Sequence, residues 1–218
     1  MKLLATERLT LRPITEDDAP LILGVMNEPD FIRFVSDRGL RTPADAARYI
    51  AEKILPGIQR DGFGMCVVRL KKSGTPIGTC GLFKRQQTDV VEIGFGLLSE
   101  FWGKGFAHEA ATAIMAYGRD VLKLTKIIGV THPENVSSIK LLEKLGMRYG
   151  SVIVDAASEG AMKLFSWSLE PAEDERVLRP MGHNRGRDNV RKRATRRRKL
   201  QRLAGAGSAA KPKKQSKK

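Results

Sequence analysis

The sequence predicts an α/β fold built on a mixed sheet, and three observations support this. The 218 residues are 41% hydrophobic, which suffices for one well-buried domain with an extension. Three strand-like runs in the middle of the chain are joined by short turn-forming links, which favour antiparallel hairpins. After them, helix-like and strand-like segments alternate, as is typical of a sheet with crossover helices.

The first elements of the chain are a strand at residues 9–13 and a helix at residues 16–26. A second helix is predicted over residues 43–58. Thr42 is a good N-cap residue for it, and Pro43 suits its first helical position. The first part of the chain is therefore expected to supply one strand and two helices.

The rest of the chain supplies the body of the sheet. Strands are predicted over the runs GMCVVRL, PIGTCGLF and VVEIGFGLL, at residues 64–70, 76–83 and 90–98. They are followed by a helix at 105–122, a strand at 127–130, a helix at 136–145 and two last strands near Val152 and Leu164. The links KKSGTP and RQQTD are rich in turn-forming residues, so they place the first three strands side by side.

A glycine-rich turn joins the third of these strands to the next helix, in the segment FWGKGFAHEA. Gly103 and Gly105 remove side chains where the backbone must turn tightly. The first N–H groups of the following helix have no partner within the helix, and they lie at the positive end of its dipole. An anionic pyrophosphate fits such a place, although glycine pairs also occur in ordinary loops.

Two separated motifs resemble the GNAT superfamily of N-acetyltransferases, which use acetyl-coenzyme A (acetyl-CoA). They are EIGFGLLSEFWGKGFAHEA and ENVSSIKLLEKLGM, and together they look most like the branch of the RimJ and RimL ribosomal-protein N-acetyltransferases. The opening TERLTLRPITEDDA is also similar to that branch, so the resemblance covers about residues 5–169. It implies a GNAT acetyltransferase domain over residues 1–169, with a twisted, mostly antiparallel mixed sheet and acetyl-CoA as co-substrate.

The resemblance assigns the cofactor site to the glycine turn and the strand before it. Main-chain N–H groups would bind the pyrophosphate, supplied by Trp102, Gly103, Lys104, Gly105, Phe106 and Ala107. Trp102 replaces the Gln or Arg of the family motif, which is tolerable because backbone donors make most of the contact. Lys104 could add a charge near a phosphate, or be a solvated lysine on a turn. The pantetheine arm would bond to the main chain near Phe95 and Leu97.

Attack on a thioester requires a neutral amine, so a base must remove the ammonium proton. Glu92 is the first candidate, because a carboxylate inside the apolar run VVEIGF is costly unless it faces a wet cleft or has a partner. By resemblance, carboxylates on this strand act as base through water. The alternative is a solvent-facing Glu92. Glu109 is better explained as a residue that stabilises the helix dipole or caps the helix.

By resemblance, a hydroxyl group protonates or hydrogen-bonds the departing thiolate. Many family members use a tyrosine for this, but its spacing from Gly146 falls here on Leu142, so the tyrosine is absent. The RimL-like branch has a serine one turn earlier, which corresponds to Ser138. Asn135 would bond the pantetheine or orient the acceptor. Helix capping explains both Asn135 and Ser138 equally well.

Other polar and reactive side chains carry weaker signals. The histidines have no metal-ligand spacing to one another or to the cysteines, so no metal site is predicted. Cys66 and Cys80 lie in apolar runs and suit buried structural positions. The segment NEPDFIRFVSDRGLRT is expected to wall the acceptor site. Three residues of this segment, and one at the end of the predicted strand 127–130, could contact an acceptor or simply pack in loops. They are Phe31, Arg33 and Arg38, and His132.

The positive charge is concentrated near the C-terminal end. Residues 170–218 hold 17 basic and 5 acidic side chains, or +12 of the net +15. From Arg185 to Lys218 there is no aromatic residue, which predicts a basic, disordered tail that contacts RNA or ribosomes, or only solubilises. The tail lacks the apolar face that would insert into a membrane.

Two function classes remain open. One is an acetyl-CoA-dependent N-acetyltransferase that acts by direct attack in a ternary complex, on a protein N-terminus or a small-molecule amine. The other is a nucleic-acid- or ribosome-associated binding protein on a catalytically inactive acetyltransferase fold. The glycine turn favours the enzyme, as do Asn135 and Ser138. No transmembrane run or signal-peptide core is found, so a cytoplasmic protein is predicted, either monomer or homodimer.

Overall fold

The computed structural model describes residues 3–84, 90–154 and 160–169. Eight strands lie within these ranges: β1 (Leu4–Ala5), β2 (Leu9–Pro13), β3 (Met65–Leu70), β4 (Pro76–Lys84), β5 (Val91–Leu97), β6 (Lys126–Thr131), β7 (Arg148–Val154) and β8 (Ala161–Ser168). They form one mixed sheet in the order β1-β2-β3-β4-β5-β6-β8-β7. Every described neighbour pair is antiparallel except β5 with β6.

Helices connect the strands and cover both faces of the sheet. They are α1 (Ala19–Met26), α2 (Pro29–Phe34), α3 (Pro43–Tyr49), α4 (Leu55–Asp61), α5 (Phe106–Asp120) and α6 (Val136–Lys144). Short 3-10 turns at Glu16–Asp18 and Ser99–Phe101 precede α1 and the glycine turn. The predicted strands and the two later helices agree with the structure to within a few residues at each end. The predicted α/β fold is confirmed.

The helix predicted at residues 16–26 is α-helical only from Ala19. The Asp18 carboxylate folds back to accept a hydrogen bond from the Thr15 N–H at 2.8 Å, and it pairs with Arg12 at 2.6 Å. Burial would raise the pKa of Asp18, but these hydrogen bonds outweigh it and hold that pKa below its ordinary value. Pro20 then suits the first turn of α1, because it has no N–H to leave unbonded.

The helix predicted at residues 43–58 runs on to Asp61, with a π-helical turn at Ile50–Ile54. Its N-cap is Thr42, as predicted, and the Thr42 side chain accepts from the Asp45 N–H. Pro56 cannot donate a backbone hydrogen bond within the helix, and irregular turns of this kind accommodate such a loss. The short helix α2 is not among the predicted elements.

Two hydrophobic cores lie on opposite faces of the sheet. On one face, α5 and α6 cover the strands, with Ile114 and Leu142 fully buried among strand residues such as Ile93. On the other face, α1 and α3 pack on β3, with Ile22 and Ile50 buried there. Residues that alternate along a strand therefore face different helices.

The two cysteines lie directly opposite each other in the β3–β4 register, and both are buried. Burial raises the pKa of Cys66 to about 12, and it raises the pKa of Cys80 as well. Both are thiols rather than halves of a disulfide. They fill the core as small apolar side chains, in agreement with the structural positions predicted for them.

Within the described ranges, no helix combines the length and apolarity needed to cross a bilayer. In the same part of the chain, no group of three or more His, Cys, Asp or Glu side chains could hold a metal ion. The predictions for residues 170–218, including the basic tail, lie outside the described residues.

Candidate active site

The candidate site lies where β5 runs parallel to β6. In the described part of the chain these strands are registered at one residue pair, Glu92 with Ile128. α5 crosses from the end of β5 to the start of β6. In α/β sheets, ligands bind in the crevice beyond the carboxyl ends of such strands. Here the end of β5, the glycine turn and the starts of α5 and α6 border that crevice.

The last residues of β5 stay paired with β4, but only every second residue directs its backbone groups to that strand. The Leu98 N–H donates to the Ile77 carbonyl of β4 at 3.0 Å. Because backbone groups alternate sides along an antiparallel strand, Phe95 and Leu97 direct their N–H and C=O groups to the other side, where β6 lies. The β5–β6 register is at Glu92, short of these two residues. The end of β5 therefore offers strand backbone to the crevice.

The glycine turn has the conformation that its residues predict. Gly103 and Gly105 have φ values of 71° and 79°, in the left-handed region that favours glycine. Gly105 is also the N-cap of α5, and the first helical bond runs from the Glu109 N–H to the Gly105 carbonyl at 3.1 Å. The N–H groups ahead of that bond belong to Phe106, Ala107 and His108, so they are available to an anion at the helix start.

Two side chains of the turn are bound to nearby carbonyl groups. The indole Nε1 of Trp102 donates to the Leu97 carbonyl at 2.7 Å, which ties the turn to the end of β5. The Lys104 Nζ donates to the Glu100 carbonyl at 2.8 Å and lies 5.5 Å from the centre of the Phe101 ring. Trp102, which replaces the Gln or Arg of the family motif, thus fixes the turn through its side chain.

Glu109, in the first turn of α5, binds the loop between β1 and β2. Its carboxylate accepts from the Thr6 hydroxyl at 2.6 Å, and from the Arg8 backbone N–H and Nε at 2.8 and 2.6 Å. Burial would raise the pKa of Glu109, but these hydrogen bonds outweigh it and lower that pKa. Glu109 was predicted only to stabilise the helix dipole or cap the helix. Arg8 was not predicted as a site residue, although it belongs to the TERL segment of the opening motif.

Glu92 is the second residue of β5 and lies between Phe83 of β4 and Ile128 of β6. Its neighbours Val91 and Ile93 belong to the core under α5, so Glu92 faces the opposite side of the sheet, as Gly96 does beneath Val25 of α1. The residue is 8% exposed. The alternative of a solvent-facing Glu92 is therefore wrong.

Asn135 and Ser138 lie at the start of α6, beside the end of β6. The Asn135 side chain accepts from the Ser138 N–H at 3.0 Å, which makes Asn135 the N-cap of this helix. Ser138 is half-buried in the first turn. The capping explanation for Asn135 is thus confirmed, and a cap can present its other polar groups to a ligand.

α2 contacts the loop between β6 and α6. The Phe34 and His132 rings lie 5.5 Å apart, and Arg33 pairs with Glu134 at 2.9 Å. The His132 Nδ1 accepts from the Glu134 N–H at 3.2 Å. Of the other wall candidates, Phe31 packs against the core under α1 and Arg38 is exposed. Arg33 and His132 therefore lie where α2 meets the loop between β6 and α6, whereas Phe31 packs against the core.

A mixed sheet that opens beside a glycine turn and a helix start is the architecture of the acetyltransferases that use acetyl-CoA. A sequence model described as the Acetyltransferase (GNAT) domain matches residues 8–148, and the chain belongs to this family. GNAT acetyltransferases use acetyl-CoA. The predicted family and the predicted enzyme class, an N-acetyltransferase, are confirmed.

Similar proteins include both curated relatives and solved structures. The chain is 33% identical, over 71% of its length and 87% of the relative, to the uncharacterized N-acetyltransferase p20 of Bacillus licheniformis. It shares its fold with the ribosomal-protein-S5-alanine acetyltransferase of Vibrio fischeri (TM-score 0.62, 20% identity, 77% and 97% of the two chains). The chain also shares its fold with RimL, a ribosomal L7/L12 α-N-protein acetyltransferase in complex with coenzyme A. The TM-score is 0.66 at 13% identity, over 77% of this chain and 98% of RimL.

Proposed function

We propose that this chain transfers the acetyl group of acetyl-CoA to an amine, by direct attack within a ternary complex. The observation that carries the proposal is the crevice at the end of β5. Strand backbone at Phe95 and Leu97 borders it on one side, and the N–H groups at the start of α5 border it on another. These are the two kinds of donor that a pantetheine arm and a diphosphate need.

The residues of the turn fit a bulky anion. A Cβ built at Gly103 would meet nothing within 4 Å, so the outer side of the turn is open. The Trp102 N–H donates to the Ser99 carbonyl at 3.1 Å, so Trp102 does not supply the main-chain donor expected of it. Main-chain N–H groups from Gly103 to Ala107 would bind the diphosphate, and Lys104 would add a positive charge near it. Trp102 would act mainly by holding the turn against Leu97. The pantetheine would bond to Phe95 and Leu97.

Glu92 would take the proton of the acceptor ammonium group, directly or through a water molecule. Its burial on the sheet face opposite the core under α5 supports this role. Ser138 would hydrogen-bond the departing thiolate from the start of α6. Asn135 would hold that helix start and present its remaining polar groups to the pantetheine.

A protein N-terminus is the acceptor we favour over a small-molecule amine. The support is the fold shared with two enzymes whose names give them ribosomal-protein substrates. The wall formed by Arg33, Phe34 and His132 gives the acceptor side polar and aromatic groups that a peptide backbone can contact.

The first test is calorimetric titration of the full chain with desulfo-CoA, which binds but cannot carry an acetyl group. Acetylation assays follow, with N-terminal peptides of ribosomal proteins S5 and L7/L12 and with a polyamine. Desulfo-CoA binding together with peptide acetylation is the expected result. Binding without transfer to either acceptor would favour an inactive acetyltransferase fold, and no binding at all would overturn the proposal.

We further propose that the basic C-terminal segment brings a cytoplasmic enzyme to RNA or ribosomes. Residues 170–218 carry 17 basic and 5 acidic side chains, and clustered Arg and Lys attract phosphate backbones with little sequence preference. Deleting residues 185–218 is expected to abolish co-sedimentation with ribosomes at low salt, and added salt should do the same for the full chain. Unchanged co-sedimentation after the deletion would leave the segment only a solubilising role.

A further inference from the structure

Arg8 is fixed from two directions by Glu109. Its backbone N–H donates to Oε1 of Glu109 at 2.8 Å, and its side-chain Nε donates to Oε2 at 2.6 Å. Thr6 donates its hydroxyl hydrogen bond to Oε1 at 2.6 Å. Both carboxylate oxygens are thus occupied, and the guanidinium can take few other orientations.

The two Nη atoms of the Arg8 guanidinium lie along the glycine turn. Nη1 donates to the Lys104 carbonyl at 3.1 Å, and the guanidinium carbon lies 4.6 Å from the centre of the Phe106 ring. A Cβ built at Gly105 would lie 3.4 Å from Nη2. One rigid, planar group therefore contacts three consecutive positions of the turn.

The contact with the Lys104 carbonyl determines which way the next N–H points. A trans peptide directs its C=O and its N–H to opposite sides. Because Arg8 holds the Lys104 carbonyl toward the loop between β1 and β2, the N–H of Gly105 is directed to the other side of the turn. That is the side from which the helix start can be approached by an anion.

We propose that Arg8 is a positioning residue for the cofactor: its guanidinium orients the Lys104–Gly105 peptide so that the turn presents its N–H groups to the diphosphate of acetyl-CoA. This inference rests on the proposed function. Glu109 holds Arg8 in place and balances its charge. The pair is therefore electrically neutral, and the effect of Arg8 on the cofactor is geometric.

A geometric role and a charge role of Arg8 predict different cofactor affinities for the same variants. Without Arg8, the Glu109 carboxylate would be an unbalanced negative charge in the first turn of α5, close to an anionic ligand. If charge alone mattered, R8K would restore affinity, and so would the double variant R8A/E109Q. If geometry matters, neither restores it, because a lysine cannot bond to Glu109 and to the Lys104 carbonyl through a fixed fork.

The test titrates the full-length protein with desulfo-CoA. We expect R8A to weaken binding about tenfold or more, in line with the loss of a charged hydrogen bond, with R8K and R8A/E109Q close to R8A. In steady-state assays the KM for acetyl-CoA should rise by a similar factor while kcat stays nearly unchanged. The backbone amide resonance of Gly105 should shift in R8A before any ligand is added.

The matched control is R48A, which removes an exposed arginine from its ion pair with Asp45 on α3. It should bind desulfo-CoA as the unmodified chain does. R8A affinity equal to that of R48A would overturn the inference, and so would full recovery in R8K or R8A/E109Q. If the unmodified chain does not bind desulfo-CoA, the proposed function fails first and this inference fails with it. Should R8A unfold, R8K decides the question, because it retains the charge and most of the volume.

Discussion

Replacing Glu92 with Gln is expected to lower kcat/KM for acetyl transfer by about 10²- to 10³-fold at pH 7, with desulfo-CoA binding unchanged. The amide has the shape of the carboxylate, so the buried position stays filled, but an amide cannot take the ammonium proton. A terminal amine has a pKa near 8, so its neutral form accumulates above that pH. The defect should therefore shrink as pH rises from about 6.5 to 9.5, measured with an N-terminal peptide.

The control for this variant is E52Q, which changes an exposed glutamate in the π-helical turn at Ile50–Ile54. It should have the rates of the unmodified chain at every pH. A Glu92→Gln protein with full activity at pH 7 would remove Glu92 from the mechanism. A defect of the same size at every pH would make Glu92 a structural residue rather than a base.

Replacing Gly105 with Val should weaken desulfo-CoA binding by roughly two orders of magnitude. Gly105 has a φ of 79°, a conformation that costs a β-branched residue about 1–2 kcal/mol. The new side chain would also crowd the Arg8 guanidinium, which is 3.4 Å from the Cβ position. Relief of either strain moves the N–H groups at the start of α5. Calorimetric titration measures the change directly.

Gly62 provides the matched control for Gly105. It ends α4 with a φ of 74°, and a Cβ there would meet nothing within 4 Å. Gly62→Val should therefore lose a similar amount of unfolding free energy and keep full affinity for desulfo-CoA. Affinity within about threefold of the unmodified value for Gly105→Val would show that the diphosphate binds elsewhere.

The parts of this molecule that could be predicted from sequence are those fixed by neighbours along the chain. Thr42 caps α3 and Asn135 caps α6 because each accepts from an N–H three residues ahead. Gly103 and Gly105 have positive φ values where the sequence required a tight turn. Each of these features depends on a few consecutive residues, so it can be predicted directly from the amino-acid sequence.

The remaining features depend on residues that only the fold brings together. Arg8 and Glu109 are 101 positions apart, and no periodicity links them. The burial of Glu92 could not be decided from its strand. Alternation along a strand assigns residues to the two faces of the sheet, but it does not show which elements pack on each face. The Trp102 bond to Leu97 spans five residues, yet it needs a glycine turn that bends back along the strand.

The end of β5 and the turn after it would recognise the cofactor mostly with main-chain groups. A site of this kind places its evolutionary constraint on conformation rather than on the identity of polar side chains. Trp102 illustrates the freedom that results, because an indole bonded to Leu97 holds the turn at the position where the family motif has Gln or Arg. Substitutions that keep the left-handed glycines and the space around them can therefore accumulate without a change of cofactor. Acceptor preference can change independently, through Arg33, Phe34 and His132.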